Sequence, residues 1–267
     1  MVINTAVIAA AGLGTRLLPV TKAVPKALLP IYHKPMIHYI LEELVNSNIK
    51  NIVIVVSSYN NNFIRNYFSD DIYWSKFPEL DELTKMLSKV NIEYVVQELP
   101  LGPGHAVLKA KDIIGNNSFV AIWADDIIDS KLPASYQLIE VYDKYFSSVV
   151  GVQAVDKNLV YRYGVIDATE IRPGVYKVHK LIEKPPVSTS PSNLAIVGRH
   201  ICTANIFSVL EYLNKINKNT EIPLTEALDL LIDEENVYAC EIVGSRYDVG
   251  NPDGLLNASI SMSKRNL

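Results

Sequence analysis

Residues 2–16 read VINTAVIAAAGLGTR, and this stretch decides the fold. Its first part, Val2–Ala10, is a run of β-branched and small residues, which predicts a strand buried on both faces of a sheet. Small residues continue to position 12, and glycines stand at positions 12 and 14, so the backbone there can approach a ligand closely. Successive N–H groups of such a loop can surround phosphate oxygens, and Arg16 adds a bidentate phosphate donor.

The remainder of the first half alternates strands with helices. Apolar runs predict buried strands, and apolar residues at helical spacing predict amphipathic helices. The strands are expected at Asn51–Ser57, Ile92–Gln97 and Phe119–Trp123, and the helices from Pro35, over Asn60–Phe68 and from His105 to about Ile113. This rhythm is typical of parallel βαβ units and a doubly wound sheet.

After Ser147 the pattern changes to strands with short connections, so antiparallel pairing is expected there. The predicted elements are strands Val149–Ala154, Gly164–Ala168, Tyr176–Ile182 and Val237–Val243, a loop Pro185–Pro191, and helices near Ala204–Lys215, Pro223–Ile232 and from about Asp253. We therefore predict one α/β domain over residues 1–267, with a Rossmann-like, mixed but mainly parallel sheet flanked by helices. Residues 1–130 form its nucleotide-binding half.

Composition excludes several classes of protein. The 267 residues carry 25 basic and 29 acidic side chains, a net charge of −4, and no basic run, so a nucleic-acid partner is not expected. Met1–Thr15 lacks the basic start of a signal peptide, and no segment is long and apolar enough to span a bilayer. Cys202 and Cys240 lie far apart and are typical of buried free thiols. We expect a soluble, cytoplasmic protein without a membrane partner.

The glycine loop differs from two common phosphate-binding loops. A dinucleotide-binding fingerprint needs a small residue at position 17 and an acidic residue after the second strand, but the chain has Leu17 and the sequence Ser57-Ser58-Tyr59. No Gly-x-x-x-x-Gly-Lys-[Ser/Thr] motif occurs either, which disfavours a P-loop nucleotidase. A glycine pair alone is equally compatible with a tight turn.

Basic residues continue through the proline-punctuated loop that follows. Arg16, Lys22 and Lys26 together with a bed of amides would suit a triphosphate. Solvated surface is the competing interpretation, which is strong for Lys22 and Lys34. It is weaker for Lys26, which stands between Pro25 and an apolar run.

Acidic residues occur where α/β sheets bind ligands. Asp125 and Asp126 follow the strand Phe119–Trp123 at its carboxyl end, and Asp248 lies in the loop Gly244–Gly250. Adjacent strand residues point to opposite faces, so one carboxylate of the pair is expected to face the pocket. Mg²⁺ prefers one or two carboxylates plus phosphate oxygens. Helix capping or a turn accounts for each aspartate taken singly about equally well.

The stretch from Gly12 to Ile31 follows the pattern GxGTRxxPxTKxxPKxxLPI, which resembles the sugar-1-phosphate nucleotidylyltransferases, and within them the prokaryotic UTP–glucose-1-phosphate uridylyltransferases. The resemblance runs the whole length of the chain. In the family's order the chain carries LGPGHAVL from Leu101, ADDI from Ala124, EKPP from Glu183, SNLAIVGRH from Ser192, EIPLTEAL from Glu221 and YDVG from Tyr247.

The resemblance assigns roles to the motif residues. It implies that Arg16, Lys26 and Asp125 are catalytic and that Asp125 and Asp248 bind Mg²⁺. The nucleotide is expected at Ala10, Ala11, Gly12, Gly14, Thr15, Arg16, Lys26, Gln97 and Gly102. The sugar phosphate is expected at Asp126, Gly164, Glu183, Lys184, Asn193 and Gly198, which makes residues 131–267 the sugar-binding half with a C-terminal helix. A glutamine amide both donates and accepts, as uracil requires. His105 is interpreted as structural.

The resemblance also implies the nucleotide-diphospho-sugar transferase type of fold and transfer of a uridylyl group from UTP to glucose 1-phosphate, giving UDP-glucose and pyrophosphate. The nucleophile is already anionic, so no general base is required and catalysis rests on positioning and charge neutralisation. Alternatives are thymidylyl or other nucleotidyl transfer to a sugar 1-phosphate, or a non-catalytic paralogue that binds a nucleotide sugar. A homo-oligomer, a dimer or tetramer, is expected.

Two residues depart from the family pattern. Ala27 stands where the uridylyltransferases usually carry Glu and the thymidylyltransferases Gln, and its methyl group cannot hydrogen-bond to a nucleotide. Ala124 stands where the family usually has Gly, beside the expected metal site. We expect relaxed base discrimination from the first, and tolerance with a changed sugar fit from the second.

Overall fold

The computed structural model describes residues 2–69, 74–217 and 220–264. Its strands are β1 Thr5–Ala9, β2 Pro30–Ile31, β3 Lys34–Pro35, β4 Asn51–Ser57, β5 Asn91–Gln97, β6 Phe119–Trp123, β7 Asp126–Asp129, β8 Val149–Ala154, β9 Gly164–Arg172, β10 Val175–Glu183, β11 Leu194–Cys202, β12 Tyr238–Glu241 and β13 Ser245–Asp248. Its α-helices are α1 Met36–Asn46, α2 Asn61–Phe68, α3 Asp81–Leu87, α4 Gly102–Lys109, α5 Lys111–Ile114, α6 Ala134–Tyr145, α7 Ile206–Ile216, α8 Leu224–Leu231 and α9 Pro252–Ser263.

The described residues form a nine-stranded sheet in the order β5-β4-β1-β6-β11-β8-β12-β10-β9. The pairs β5–β4, β4–β1 and β1–β6 are parallel, whereas β6–β11, β11–β8 and the β12–β10–β9 ladder are antiparallel. The predicted mixed sheet, with antiparallel pairing entering after residue 147, is confirmed. The pair β8–β12 is nevertheless parallel, so antiparallel neighbours are as many as parallel ones in this sheet, which is not mainly parallel as predicted.

The first strand is buried on both faces because helices cover both sides of the sheet. Ala6 and Ile8 pack into a cluster with α1, α6 and α9, whereas Val7 packs into a second cluster with α4, α7 and α8. Alternate residues of one strand point to opposite faces. An apolar run without polar interruptions is therefore what this position requires. The strand is shorter than the predicted Val2–Ala10.

Several elements were absent from the prediction: strand β11, helices α3 and α6, and the short strands β2, β3, β7 and β13. Strand β11 lies in the middle of the sheet between β6 and β8, and its pairing with β8 is irregular between Ile196 and His200. Its sequence includes Gly198, Arg199 and His200, which are not typical of a buried strand, so the apolar pattern that predicts a strand is interrupted. Helix α6 covers the sheet over a segment that carried no prediction. The helix predicted from His105 begins earlier, at Gly102, and is interrupted at Ala110.

Two small sheets shape the rim of the main one. The antiparallel pair β7–β13 joins the segment after β6 to the segment before α9, and β2–β3 forms a hairpin ahead of α1. Asp248 is the last residue of β13 and not part of a loop as expected. Among the described residues, no helix combines the length and apolar character needed to cross a membrane.

Candidate active site

A cleft of about 870 Å³ opens beyond the carboxyl ends of β1 and β6, where parallel strands of an α/β sheet present ligand sites. Sixteen of the predicted site residues line it: Ala10, Ala11, Gly12, Gly14, Thr15, Arg16, Lys26, Gln97, Gly102, Asp125, Asp126, Gly164, Glu183, Lys184, Gly198 and Asp248. The two halves of the chain thus contribute to one cavity.

Asn193 is the exception. Its side chain is exposed, and its Nδ2 donates to the carbonyl of Val155 at 3.0 Å. This contact fixes the segment just before β11, where the residue does not line the cleft. We therefore leave Asn193 out of the group of residues that could touch a sugar.

The glycine loop folds back on itself through short 3-10 turns over Thr15–Leu17, Val20–Lys22 and Lys26–Leu28. Gly14 adopts a left-handed conformation with φ of 69°, and a Cβ there would lie 3.0 Å from the Cβ of Lys26. The hydroxyl of Thr21 donates to the Gly14 carbonyl at 2.9 Å. These contacts bring Lys26 back beside the glycines, so the loop amides and this ammonium face the same space.

Lys26 forms a direct ion pair with Asp125, the residue after β6 and Ala124. Both side chains are largely buried. Burial alone would raise the pKa of Asp125, but the charges of Lys26 and Arg16 outweigh it, so the pKa of this carboxyl lies below its usual range. Asp125 is therefore ionised at neutral pH.

A second carboxylate group and a second cation complete this part of the cleft. The guanidinium of Arg16 is 57% exposed and lies 3.6 Å from Asp248. A Cβ added at Gly250 would lie 2.7 Å from Asp125 Oδ2 and 3.0 Å from Asp248 Oδ1. Both carboxylates therefore converge on the space that only glycine leaves open at position 250. Oxygen donors arranged in this way suit a hard divalent cation such as Mg²⁺.

Asp126 also lines the cleft, so both carboxylates of the pair reach it, contrary to the expectation for adjacent strand residues. The chain turns out of β6 at Ala124 and into β7 at Asp126, which breaks the alternation. The Asp126 carboxylate accepts hydrogen bonds from Arg246 Nε at 2.8 and 3.0 Å and from the Gly198 amide at 2.8 Å. Its oxygens serve the protein itself, so the structure favours a positioning role over sugar contact.

Arg246 was missed by sequence reasoning. Its guanidinium binds Asp126 and lies 4.9 Å from the ring centroid of Tyr163, which also lines the cleft. The charge of Asp126 more than offsets burial and raises the pKa of Arg246 above its usual value. The sequence spacing could have identified Arg246. It precedes Asp248 by two residues, and residues two apart in a strand lie on the same face of the sheet.

Gln97 is 5% exposed at the end of β5. Its Nε2 donates to the Gly102 carbonyl at 3.1 Å and lies 2.9 Å from Nδ1 of His105. Burial, with Lys109 nearby, lowers the pKa of His105, so the imidazole is neutral at pH 7 and can accept at Nδ1. Both amide N–H groups are used within the protein, which leaves the Gln97 carbonyl oxygen for a ligand.

Glu183 and Lys184 lie at the far side of the cleft, at the end of β10. Lys184 Nζ is 3.1 Å from Glu183 Oε1, and the lysine is 61% exposed. Lys184 has a φ of 47°, and its amide donates to the Tyr163 carbonyl at 3.1 Å. A Cβ at Gly164 would lie 3.3 Å from Glu183 Oε2. The strand end therefore presents a carboxylate and an ammonium side by side as an ion pair.

Strand β11 passes beneath the cleft at Gly198. A Cβ there would lie 2.7 Å from the Trp123 ring, so only glycine allows β11 and β6 to pair at this point. Behind it, the fully buried Arg199 donates to the Gly198 carbonyl at 3.0 Å and to Glu43 at 2.7–3.1 Å. The floor of the cleft is thus fixed by an ion pair whose two residues do not line the cleft.

Further residues of the lining carried no prediction: Trp123, Arg162, Tyr163, His200, Glu221, Thr225 and Arg246. They come from loops, strands and helix α8. Glu221 and Thr225 lie in the motif EIPLTEAL and His200 in SNLAIVGRH, but none of the three was predicted to be a site residue, whereas Arg246 had the spacing in β13 as its signal. Burial lowers the pKa of His200 to about 3, which keeps this imidazole neutral. Ala27 and Ala124 both line the cleft and are 3% and 5% exposed.

Comparisons with known proteins agree on one family. The family model described as nucleotidyl transferase matches residues 5–265. The chain is 39% identical to the UTP–glucose-1-phosphate uridylyltransferase of Bacillus subtilis (strain 168), with 98% of this chain and 91% of the relative covered. It is 41% identical to the enzyme of the same name from Staphylococcus epidermidis, with 97% and 91% covered.

Solved structures give the same result. A UDP-glucose pyrophosphorylase complexed with UDP-glucose matches with a TM-score of 0.91 and 35% identity, over 98% of this chain and 99% of that one. A UTP-bound UGPase from Acinetobacter baumannii matches with a TM-score of 0.88 and 33% identity, over 97% and 93%. The fold expected for a nucleotide-diphospho-sugar transferase is confirmed by these neighbours.

Proposed function

The chain belongs to the nucleotidyl transferase family, and from that premise we propose that it transfers the uridylyl group of UTP to glucose 1-phosphate. The products are UDP-glucose and pyrophosphate. One observation carries the proposal. Two cations and two carboxylates, Arg16, Lys26, Asp125 and Asp248, meet beside the glycine loop, and the Glu183–Lys184 pair faces them across the same cleft.

The transfer needs little covalent help from the protein. A phosphate oxygen of glucose 1-phosphate forms a bond to the α-phosphorus of UTP, the bond from that phosphorus to the bridging oxygen breaks, and pyrophosphate leaves with the electron pair. The nucleophile is already an anion, so no side chain has to remove a proton. The chain's contribution is alignment of two anions and neutralisation of the charge on the leaving group.

The cations near the glycine loop would neutralise the triphosphate. Lys26 lies beside Gly14 and is the more buried of the two, whereas Arg16 is mostly exposed. The loop N–H groups would donate hydrogen bonds to the remaining phosphate oxygens, as in other anion-binding loops. When UTP binds, Lys26 would turn from Asp125 toward the phosphates.

We further propose that Asp125 and Asp248 hold Mg²⁺. The fit rests on the donor set: two carboxylates, one of them with a lowered pKa, converge on the space left open by Gly250. When bound, the ion would supply positive charge to the phosphate oxygens of both substrates. Lys26 and Arg16 lower the pKa of Asp125, so they would keep this carboxyl ionised for the ion.

The residues that would bind the sugar phosphate lie at the end of β10. Lys184 would bind the phosphate of glucose 1-phosphate, and Glu183 would accept hydrogen bonds from hexose hydroxyl groups. Gly164 and Gly198 keep this part of the cleft free of side chains, since a Cβ at either would press on Glu183 or Trp123. Asp126 supports the pocket through Arg246 and Gly198 rather than touching the sugar.

The base would be read by Gln97. Its two N–H groups are committed to Gly102 and His105, so its carbonyl oxygen would accept the N3–H of uracil. Cytosine has no N–H at that position, which disfavours it. The methyl group of Ala27 adds no polar contact to the base.

The experiment that tests the proposal is a matrix of nucleoside triphosphates against sugar 1-phosphates, with pyrophosphate release as the measured quantity. UTP with glucose 1-phosphate should give the highest kcat/KM. Lys26→Met should abolish most of this activity, whereas Lys22→Met, in the same loop but exposed, serves as the matched control. A higher kcat/KM for another pair, or turnover by Lys26→Met equal to that of the control, would overturn the proposal.

The expected homo-oligomer and the cytoplasmic location stay predictions. Light scattering after size-exclusion chromatography measures the first, and a mass of two or four chains is the expected result.

A further inference from the structure

A cluster of charged side chains lies away from the cleft, where α1 packs against α3. His38 and Glu42 are one helical turn apart on α1, and Glu82 belongs to the first turn of α3. One imidazole nitrogen and one carboxylate oxygen from each glutamate lie within 4.8 Å of one another. None of these residues lines the 870 Å³ cleft.

A lysine ammonium already occupies this cluster. Lys34 Nζ lies 2.5 Å from Glu42 Oε1 and 2.8 Å from Glu82 Oε2. Burial would lower the pKa of Lys34, but the two glutamates outweigh it and raise that pKa. Two carboxylates from different helices thus converge on one cation at this place.

His38 provides the second, independent observation. The residue is 5% exposed, and its Nε2 has no hydrogen-bond partner among the described residues, although Glu42 Oε1 lies 3.1 Å away. Its other nitrogen, Nδ1, lies 2.6 Å from the hydroxyl of Tyr67. A proton on Nδ1 shared with Tyr67 would leave the Nε2 lone pair aimed into the cluster. Metal-ligating histidines use their second nitrogen in the same way.

We propose that His38, Glu42 and Glu82 form a site for a divalent transition-metal ion, of which Zn²⁺ is the best candidate, and that the ion binds in exchange for the Lys34 ammonium. One imidazole and two carboxylates suit Zn²⁺, Mn²⁺ or Co²⁺, whereas Mg²⁺ prefers oxygen ligands throughout. Bonds of about 2.0–2.2 Å require the ligand atoms to draw together. The 61% exposed side chain of Glu82 is free to rotate for this.

The site would tie α1 to α3 and leave the chemistry of the cleft alone. Lys34 begins the strand β3, whose partner β2 follows the turn that carries Lys26. Exchange would free the Lys34 side chain to solvent while the backbone pairing of β2 and β3 stays in place. The expected consequence is a more stable protein when the ion is bound.

The test is a calorimetric titration of the chelator-treated full chain with Zn²⁺, in the Asp125→Asn, Asp248→Asn double variant so that the cleft carboxylates do not contribute. One ion per chain should bind, and millimolar Mg²⁺ should not displace it. Glu82→Gln and His38→Gln in this background should weaken binding by more than about tenfold. Lys34→Met should tighten it by at least about tenfold, because the competing ammonium is gone.

The control is Lys111→Met, which removes an ammonium from an equally short but exposed pair with Glu211 that has no histidine beside it. It should leave Zn²⁺ binding unchanged. Glu82 is exposed, so its variant tests the site even if His38→Gln fails to fold. Absence of Zn²⁺ binding, binding that survives Glu82→Gln, or a Lys34→Met variant that binds no tighter would each overturn the proposal.

Discussion

Asp248 lies directly opposite Asp126 in the antiparallel pair of β13 and β7. The next residue of the chain, Val249, donates its N–H to the carbonyl of Asp125 at 3.0 Å. This short ladder brings two distant parts of the sequence together with fixed register. Consequently the carboxylates of Asp125 and Asp248 face one space, and Gly250 leaves that space open.

Removing the charge of either carboxylate should impair turnover without unfolding the protein. Asp125→Asn and Asp248→Asn keep the size of each side chain but weaken its attraction for a cation. We expect kcat to fall by about 10²–10³, the scale seen when one transition-state contact is lost. The measurement is turnover at saturating substrates and Mg²⁺. Asp167→Asn, an exposed aspartate of β9, is the control, and near-normal turnover in both site variants would contradict the assignment.

Lys184→Ala should separate sugar binding from nucleotide binding. Loss of a charge-assisted contact should weaken glucose 1-phosphate binding by about 1.5–3 kcal/mol, roughly tenfold or more in Kd. UTP binding should stay nearly unchanged. Both dissociation constants are measured by calorimetry, with Lys180→Ala on the same strand as the exposed control. Equal losses for both substrates would mean that Lys184 does not serve the sugar phosphate.

Ala27 should leave the base site tolerant of thymine. A missing hydrogen bond between neutral groups is worth about 0.5–1.5 kcal/mol, and one extra methyl group is rejected only where its space is filled. We expect UTP to be preferred but dTTP to be used at an appreciable rate. Gln97→Ala should flatten the preference further. The measurement is the ratio of the kcat/KM values for UTP and dTTP. Rejection of dTTP by more than about 1000-fold would contradict the prediction and point to a further contact with the base.

The pairing of His105 with Gln97 predicts how nucleotide binding varies with pH. The pKa of His105 is lowered, so the neutral imidazole that accepts from Gln97 persists as pH falls from 8 through 6.5. Protonation below the lowered pKa turns Nδ1 into a donor and removes the bond. The Kd of UDP-glucose, whose diphosphate does not titrate in this range, should therefore be flat above pH 6.5 and rise below it. A rise already between pH 8 and 7 would contradict this.

The buried pair Glu43–Arg199 should matter for stability rather than for chemistry. Glu43→Gln leaves the fully buried guanidinium without a counter-charge, which costs about 3–5 kcal/mol of unfolding free energy. Two hydrogen bonds from Ser135 to Glu43 would also be weakened. Urea unfolding measures the change. Glu211→Gln, in an exposed pair with Lys111, should show no measurable effect, and an equally stable Glu43→Gln would refute the prediction.

Much of the fold follows from local signals. The apolar run of β1, the helical spacing of α1 and the strands β4, β5 and β6 each carry their pattern within a few residues, so all were predicted within a few positions of their bounds. Strand β11 was not, because Gly198 and Arg199 interrupt the alternation. Both residues serve contacts with parts of the chain that are distant in sequence. Gly198 makes room for Trp123, and Arg199 binds Glu43 on α1.

The residues of the candidate site were likewise predictable only in part. Motifs identified Lys26, Asp125, Gln97 and Lys184, but not the partners that fix them. Arg246 reaches Asp126, and His105 reaches Gln97, through contacts that exist only once the strands and helices are assembled. Asn193 shows the converse, because its motif predicted a sugar contact and the folded chain places its side chain outside the cleft.

By itself, therefore, the sequence determined the fold class, the glycine loop and the chemical types of the site, since periodicity, glycine conformation and residue chemistry are local properties. Tertiary structure alone decided which carboxylates meet and which face the cleft. Asp125 and Asp248 are neighbours because β7 pairs with β13 in one register, and the carboxylate of Asp126, although it lines the cleft, is bound by Arg246. Register depends on packing between residues far apart in the chain, and no local pattern encodes it.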